Sequence, residues 1–101
     1  MKVKEVDLSE LFVDSFEEKI RINGKEIIFI LRPLNLGDYL EAFDKEGIAD
    51  MMEILKRCII EPKLSEKDLK NMKVGIATRL FSSIINKSFL ELEIEKDFGK
   101  L

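Results

Sequence analysis

The pair Asn23-Gly24 constrains the fold of this chain more than any other feature, because it stands between two strand-like runs, Phe16–Ile22 and Lys25–Leu31. A two-residue reversal needs positive φ at both central positions. Asn tolerates that geometry and Gly adopts it freely, so the pair specifies a tight β-hairpin. The first arm alternates as Lys19-Ile20-Arg21-Ile22, which predicts one wet face and one buried face. The second arm runs Ile27-Ile28-Phe29-Ile30-Leu31 without a polar residue, which predicts cover on both of its faces. Pro33 ends the arm and keeps Arg32 extended.

Beyond the hairpin the apolar residues change to a helical period. Asn35 can cap a first helix, with Asp38 where a carboxylate favours a helix start. Leu36, Tyr39, Leu40 and Phe43 then share one face, and Gly47 breaks the pattern. A second helix places Ile48, Met51, Met52, Leu55 and Ile59 together and stops at Pro62. Its acids, Asp50 and Glu53, come early and its bases, Lys56 and Arg57, come late, which suits the helix dipole. Ser65 and Asp68 have capping-box spacing and open a further turn. A longer helix then spans about Lys73 to Lys87, striped by Ala77, Leu80, Phe81, Ile84 and Ile85.

Both ends leave two readings open. Leu8, Leu11 and Phe12 suit one helical turn capped by Asp7 or Ser9, or an arm laid on the body. The stretch Phe89–Glu95 alternates like a strand but has a helical composition. A helix is favoured because it brings Leu90, Ile94 and Phe98 to one side. The expected fold class is α+β, mostly helical: an N-terminal β-hairpin followed by three or four α-helices in a small bundle. One domain covers residues 1–101. It divides into an arm or short helix (1–15), the hairpin (16–32), a helical body (35–90) and a helical or disordered tail (91–101).

Composition removes most chemistries. The chain has no histidine, one cysteine and a net charge of -3. Acid–base catalysis by imidazole and His/Cys zinc sites are therefore excluded, as is an internal disulfide. Cys58 has no histidine to activate it and reads as a small core residue. The glycines form no phosphate-binding loop, and no loop has calcium-ligand spacing. Glu91, Glu93 and Glu95 read as the solvated side of the tail, and Asp44 and Glu46 as helix-surface charges. Met51-Met52 suits a core or an adaptable binding surface. No catalytic, cofactor-binding or metal-binding residue is expected, and no cofactor. The longest apolar run, Ile27–Leu31, is too short to span a bilayer, and the first residues lack a secretory apolar stretch. A soluble, non-enzymatic intracellular protein with no membrane partner is expected.

The apolar residues near the termini are the candidate partner-binding set: Leu8, Leu11, Phe12, Phe89, Leu90, Leu92, Ile94 and Phe98. They either fold back to complete the core or form a groove or arm that meets another chain.

Three stretches carry a family resemblance. The first is Arg21-Ile22-Asn23-Gly24-Lys25-Glu26-Ile27 running into Leu31-Arg32-Pro33-Leu34-Asn35-Leu36-Gly37-Asp38-Tyr39-Leu40. The second is Ile54-Leu55-Lys56-Arg57-Cys58-Ile59-Ile60-Glu61-Pro62-Lys63-Leu64. The third is Ser65-Glu66-Lys67-Asp68-Leu69 with the Ala77–Ile85 helix and a polar tail. In this order, over about residues 7–90, the chain resembles the tail assembly chaperones of long-tailed bacteriophages and prophages, in their short form. Where family members often have Ser-Gly near the end of the long helix, Ser88-Phe89 stands here. The resemblance implies a protein that coats the helical tape-measure protein, keeps its apolar stripes from aggregating and helps recruit tail tube subunits. It also implies action in the host cytoplasm, absence from the mature virion, and scope for self-association. The alternative is a small regulatory or nucleic-acid-associated protein using Lys63, Lys67, Lys70, Lys73 and Arg79. Glu61, Glu66 and Asp68 interrupt that strip, so nucleic acid is not the expected partner.

Overall fold

The hairpin forms where the Asn-Gly pair requires it. In the computed structural model, which describes residues 8–89, strand β1 spans Phe16–Ile22 and β2 spans Lys25–Leu31. Asn23 and Gly24 take φ of 52° and 79°, the left-handed pair of a two-residue hairpin turn. The register pairs Ile20 with Ile27 and Phe16 with Leu31 on the inner face. Lys19, opposite Ile28, and Arg21, opposite Glu26, lie on the other face and are exposed.

The sheet has a third strand, where the helical spacing predicts a continuation of the second helix. Helix α2 (Met51–Cys58) ends at Cys58, and Ile59–Glu61 continues as β3, antiparallel to β2. The order is β1-β2-β3. Ile59 therefore belongs to a strand opposite Leu31, not to the α2 stripe expected from its spacing. The helical period cannot reveal this, because Ile59-Ile60 pairs with a strand distant in sequence. Since β3 meets β2 only at Ile30 and Leu31, the turn end of β2 is paired along one edge alone. Ile27 and Ile28 are 39% and 47% exposed, which corrects the expectation of a strand covered on both faces.

Three further helices complete the α+β fold: α1 (Leu36–Ala42), α3 (Glu66–Lys70) and α4 (Val74–Phe89). Their starts follow the capping signals. Asn35 and Asp38 form a full capping box, as do Ser65 and Asp68, while Asp50 caps α2. The α4 stripe is used as its spacing suggests: Ala77, Leu80 and Ile84 are buried, and Phe81 and Ile85 pack beside them. With Ile20, Phe29 and Leu31 of the sheet and Ile54, Leu55 and Cys58 of α2, they make one core. Helix α4 packs on α2 and along β1, from Arg79 at Glu18 to Lys87 above the Phe16 ring. Ahead of the hairpin, Leu8–Leu11 forms a short 3-10 turn.

Candidate interaction site

Helix α1 turns its apolar stripe to solvent. Leu36 is 72% exposed, Leu40 68% and Tyr39 40%, while Asp38 and Ala42 on the opposite side are buried. The stripe is the same-face group expected from spacing, but its direction is the reverse of what an amphipathic helix on a core normally shows. Fully burying a leucine is worth about 1.5–3 kcal/mol, so the fold forgoes a sizeable contribution here.

The reason lies in the Asp38 carboxylate, which gathers charged and backbone partners from three directions. Arg32, at the end of β2, donates from Nη1 to Oδ2 at 2.6 Å and from Nη2 to Oδ1 at 3.4 Å. Arg57 of α2 donates from Nη1 to Oδ1 at 3.2 Å, and the Asn35 N–H donates to Oδ2 at 3.0 Å. Arg32 is itself placed by the sheet, because its N–H donates to the Cys58 carbonyl at 2.9 Å. A carboxylate so satisfied tolerates burial, whereas the same group unpaired would cost several kcal/mol. The Arg32 guanidinium holds the Asp38 carboxyl at about 2, against the opposing pull of burial, with Asn35 and Arg57 contributing in the same direction. In return, hydrogen bonding to Asp38 raises the Arg32 pKa. Arg57 also reaches Glu41 and Glu53, and these contacts raise its pKa. The cluster thus clamps one side of α1 to α2 and leaves the other outward.

The remainder of the patch comes from the turn after α1 and from the end of α4. Helix α1 ends at Ala42, and Phe43 is already extended at φ -112°, ψ 141°. A tight reversal then returns the chain to Ala49, which bridges to Phe43, with Gly47 at φ 81°. Asp44 holds this turn by accepting from the N–H groups of Glu46 and Ile48, each at 2.9 Å. Asp44 and Glu46 are therefore turn residues, a correction to their reading as helix-surface charges. Ile48 precedes α2 instead of joining its stripe and is 61% exposed. From the other side Phe89 packs edge-on against Tyr39 and Phe43, with centroids 6.1 and 6.4 Å away. The Tyr39 and Phe43 rings lie 4.7 Å apart. Ser88 anchors this end, because its Oγ accepts from the Leu34 N–H at 2.7 Å and donates to the Ile84 carbonyl at 2.6 Å. Two shallow clefts flank Phe43, one walled by Glu41, Asp44, Ile48 and Asp50, the other by Tyr39, Leu40, Asp44 and Lys45.

The terminal residues singled out from sequence separate into three groups. Phe89 joins the α1 patch and is 37% exposed. Leu11 and Phe12 are 67% and 68% exposed in the arm, whose turn also contains Leu8. Leu90, Leu92, Ile94 and Phe98 lie outside the described residues. Leu36, Tyr39, Leu40, Phe43 and Ile48, absent from that set, are the larger part of the patch. The available signal was Asp38 lying opposite the stripe, with Arg32 and Arg57 on either side in sequence.

Among the described residues no group of three or more Asp, Glu or Cys side chains is placed to hold a metal ion. Cys58 is fully buried, and burial pushes its thiol up to about 11. Met51 and Met52 are half-buried against the core. No described helix is long and apolar enough to cross a membrane. Comparison of the chain with protein-family models, curated proteins and solved structures found no match.

Proposed function

We propose that this protein is a binding module for apolar helical segments of another chain. Its particular role is that of a phage tail assembly chaperone, which holds the tape-measure protein soluble and helps recruit tail tube subunits. It acts in the host cytoplasm and is left out of the finished virion. One observation carries the reading: an apolar helix face that the fold itself keeps in water. Large apolar side chains exposed side by side are often a docking surface. An amphipathic helix laid alongside would bury Leu36, Leu40 and the Phe43 clefts together.

Charge pairing weighs against the nucleic-acid alternative. Within its basic strip, Lys70 meets Glu66 at 3.5 Å and Arg79 meets Glu18 at 2.9 Å, so part of the positive charge is already compensated.

Co-expression with a tape-measure protein from the same genome tests the proposal. The expected result is a soluble complex, lost with Leu36→Gln/Leu40→Gln. Tape-measure solubility unaffected by the presence of this protein would refute it.

A further inference from the structure

We infer that the partner on the α1 face is an amphipathic helix of another chain whose apolar side is flanked by lysine or arginine. The inference rests on the chaperone reading and adds what that reading leaves open, the charge of the partner.

The apolar patch is bordered by acids. From Leu36 to Asp50 the chain carries five acidic residues, Asp38, Glu41, Asp44, Glu46 and Asp50, against one base, Lys45. Asp38 is buried and satisfied by Arg32, but the other four are exposed. Arg57 offsets Glu41 only in part, since its guanidinium also serves Asp38 and Glu53. Glu41, Asp44 and Asp50 line one cleft beside Phe43, and in the cleft beside Leu40 Asp44 is joined by Lys45, the single base of this border. A helix seated along Leu36 and Leu40 therefore sets its polar flank against carboxylates. Opposite charge there speeds and strengthens docking, and like charge opposes it.

The same border argues against two occupants closer at hand. The chain beyond Phe89 starts beside the patch and offers Leu90, Leu92 and Ile94, but Glu91, Glu93 and Glu95 alternate with them. A second copy would bring an identical acidic wall. Either arrangement brings further negative charge to a border that is already acidic.

The test uses the full chain and two labelled synthetic helical peptides with the same leucine stripe, one flanked by Lys/Arg and one by Glu. Fluorescence anisotropy should show the basic peptide binding about tenfold tighter or more at low salt, with the gap narrowing as salt rises. Glu41→Gln/Glu46→Gln should reduce that preference. Leu36→Gln/Leu40→Gln should abolish binding of both peptides with an unchanged far-ultraviolet circular dichroism spectrum. Equal binding of the two peptides, tighter binding of the acidic one, or no binding of either overturns the inference. So does a dimer that Leu36→Gln/Leu40→Gln converts to monomer, or binding that appears only after Leu92→Ser/Ile94→Ser. Absent charge preference alongside a tape-measure complex that still needs Leu36 and Leu40 would sink this inference and spare the chaperone reading. Intact preference without effect on tape-measure solubility would do the opposite.

Discussion

Asp38 Oδ2 lies 2.6 Å from Arg32 Nη1, and this pair decides which side of α1 meets water. Arg32 is held by the end of the sheet and Asp38 by the first turn of the helix, so the contact acts as a stop on the rotation of α1. The apolar stripe stays outside because the opposite side of the helix is committed to the ion cluster.

The pair makes stability depend on acid pH. The carboxyl is held at about 2 in the folded protein, below its ordinary value of 3.8, so the contribution is fully present above about pH 4 and is lost as pH falls through 2. The loss should be on the order of 2 kcal/mol for Asp38. Urea denaturation from pH 7 to pH 2 should show a shallower acid slope for Asp38→Asn. Glu66 and Asp68, whose pKa values are also lowered, remain in both proteins and cancel in the comparison. Identical slopes would mean that Asp38 is not ionised by this pairing.

Removing the clamp and trimming the stripe should have opposite consequences. Asp38→Ala leaves Arg32 and Arg57 facing each other without their shared carboxylate and should cost about 3 kcal/mol. Leu36→Gln and Leu40→Gln remove exposed side chains at little cost in helix propensity, so each should stay within about 0.5 kcal/mol. A large loss from either leucine substitution would show that the stripe is buried in solution.

Gly24→Ala should destabilise the hairpin by about 1–2 kcal/mol through the left-handed backbone that Cβ disfavours. A Cβ at Gly24 meets nothing within 4 Å, so any loss is conformational and not steric. Thermal denaturation of the variant measures it.

The Cys58 thiol should be nearly inert in the native state. Burial raises it to about 11 and leaves it no exposed surface. At pH 8 a thiol reagent should label it about 100-fold more slowly than it labels the unfolded chain. Added denaturant should speed labelling in step with global unfolding. Rapid native labelling would contradict the burial.

Tyr39 is the only tyrosine in a chain without tryptophan, and it lies in the patch. Acrylamide quenching of its emission should fall when a helical partner binds, giving a label-free reading of occupancy. Unaltered quenching at saturating partner would place the contact elsewhere.

The local grammar of the chain was legible in its residues. Asn23-Gly24 settled the hairpin, and Asn35 with Asp38 and Ser65 with Asp68 marked helix starts, because these signals act within a few residues of themselves. The stripe Ala77-Leu80-Ile84 also followed from spacing, since a long apolar face on a small domain has a core to meet. Tertiary structure alone decided the rest. Ile59 became a strand residue because Leu31 offered an edge, and Leu36 and Leu40 went outward because Arg32 and Arg57 converge on Asp38. Periodicity shows which side chains share a face. The direction of that face depends on partners brought together from distant parts of the chain, which no local pattern encodes.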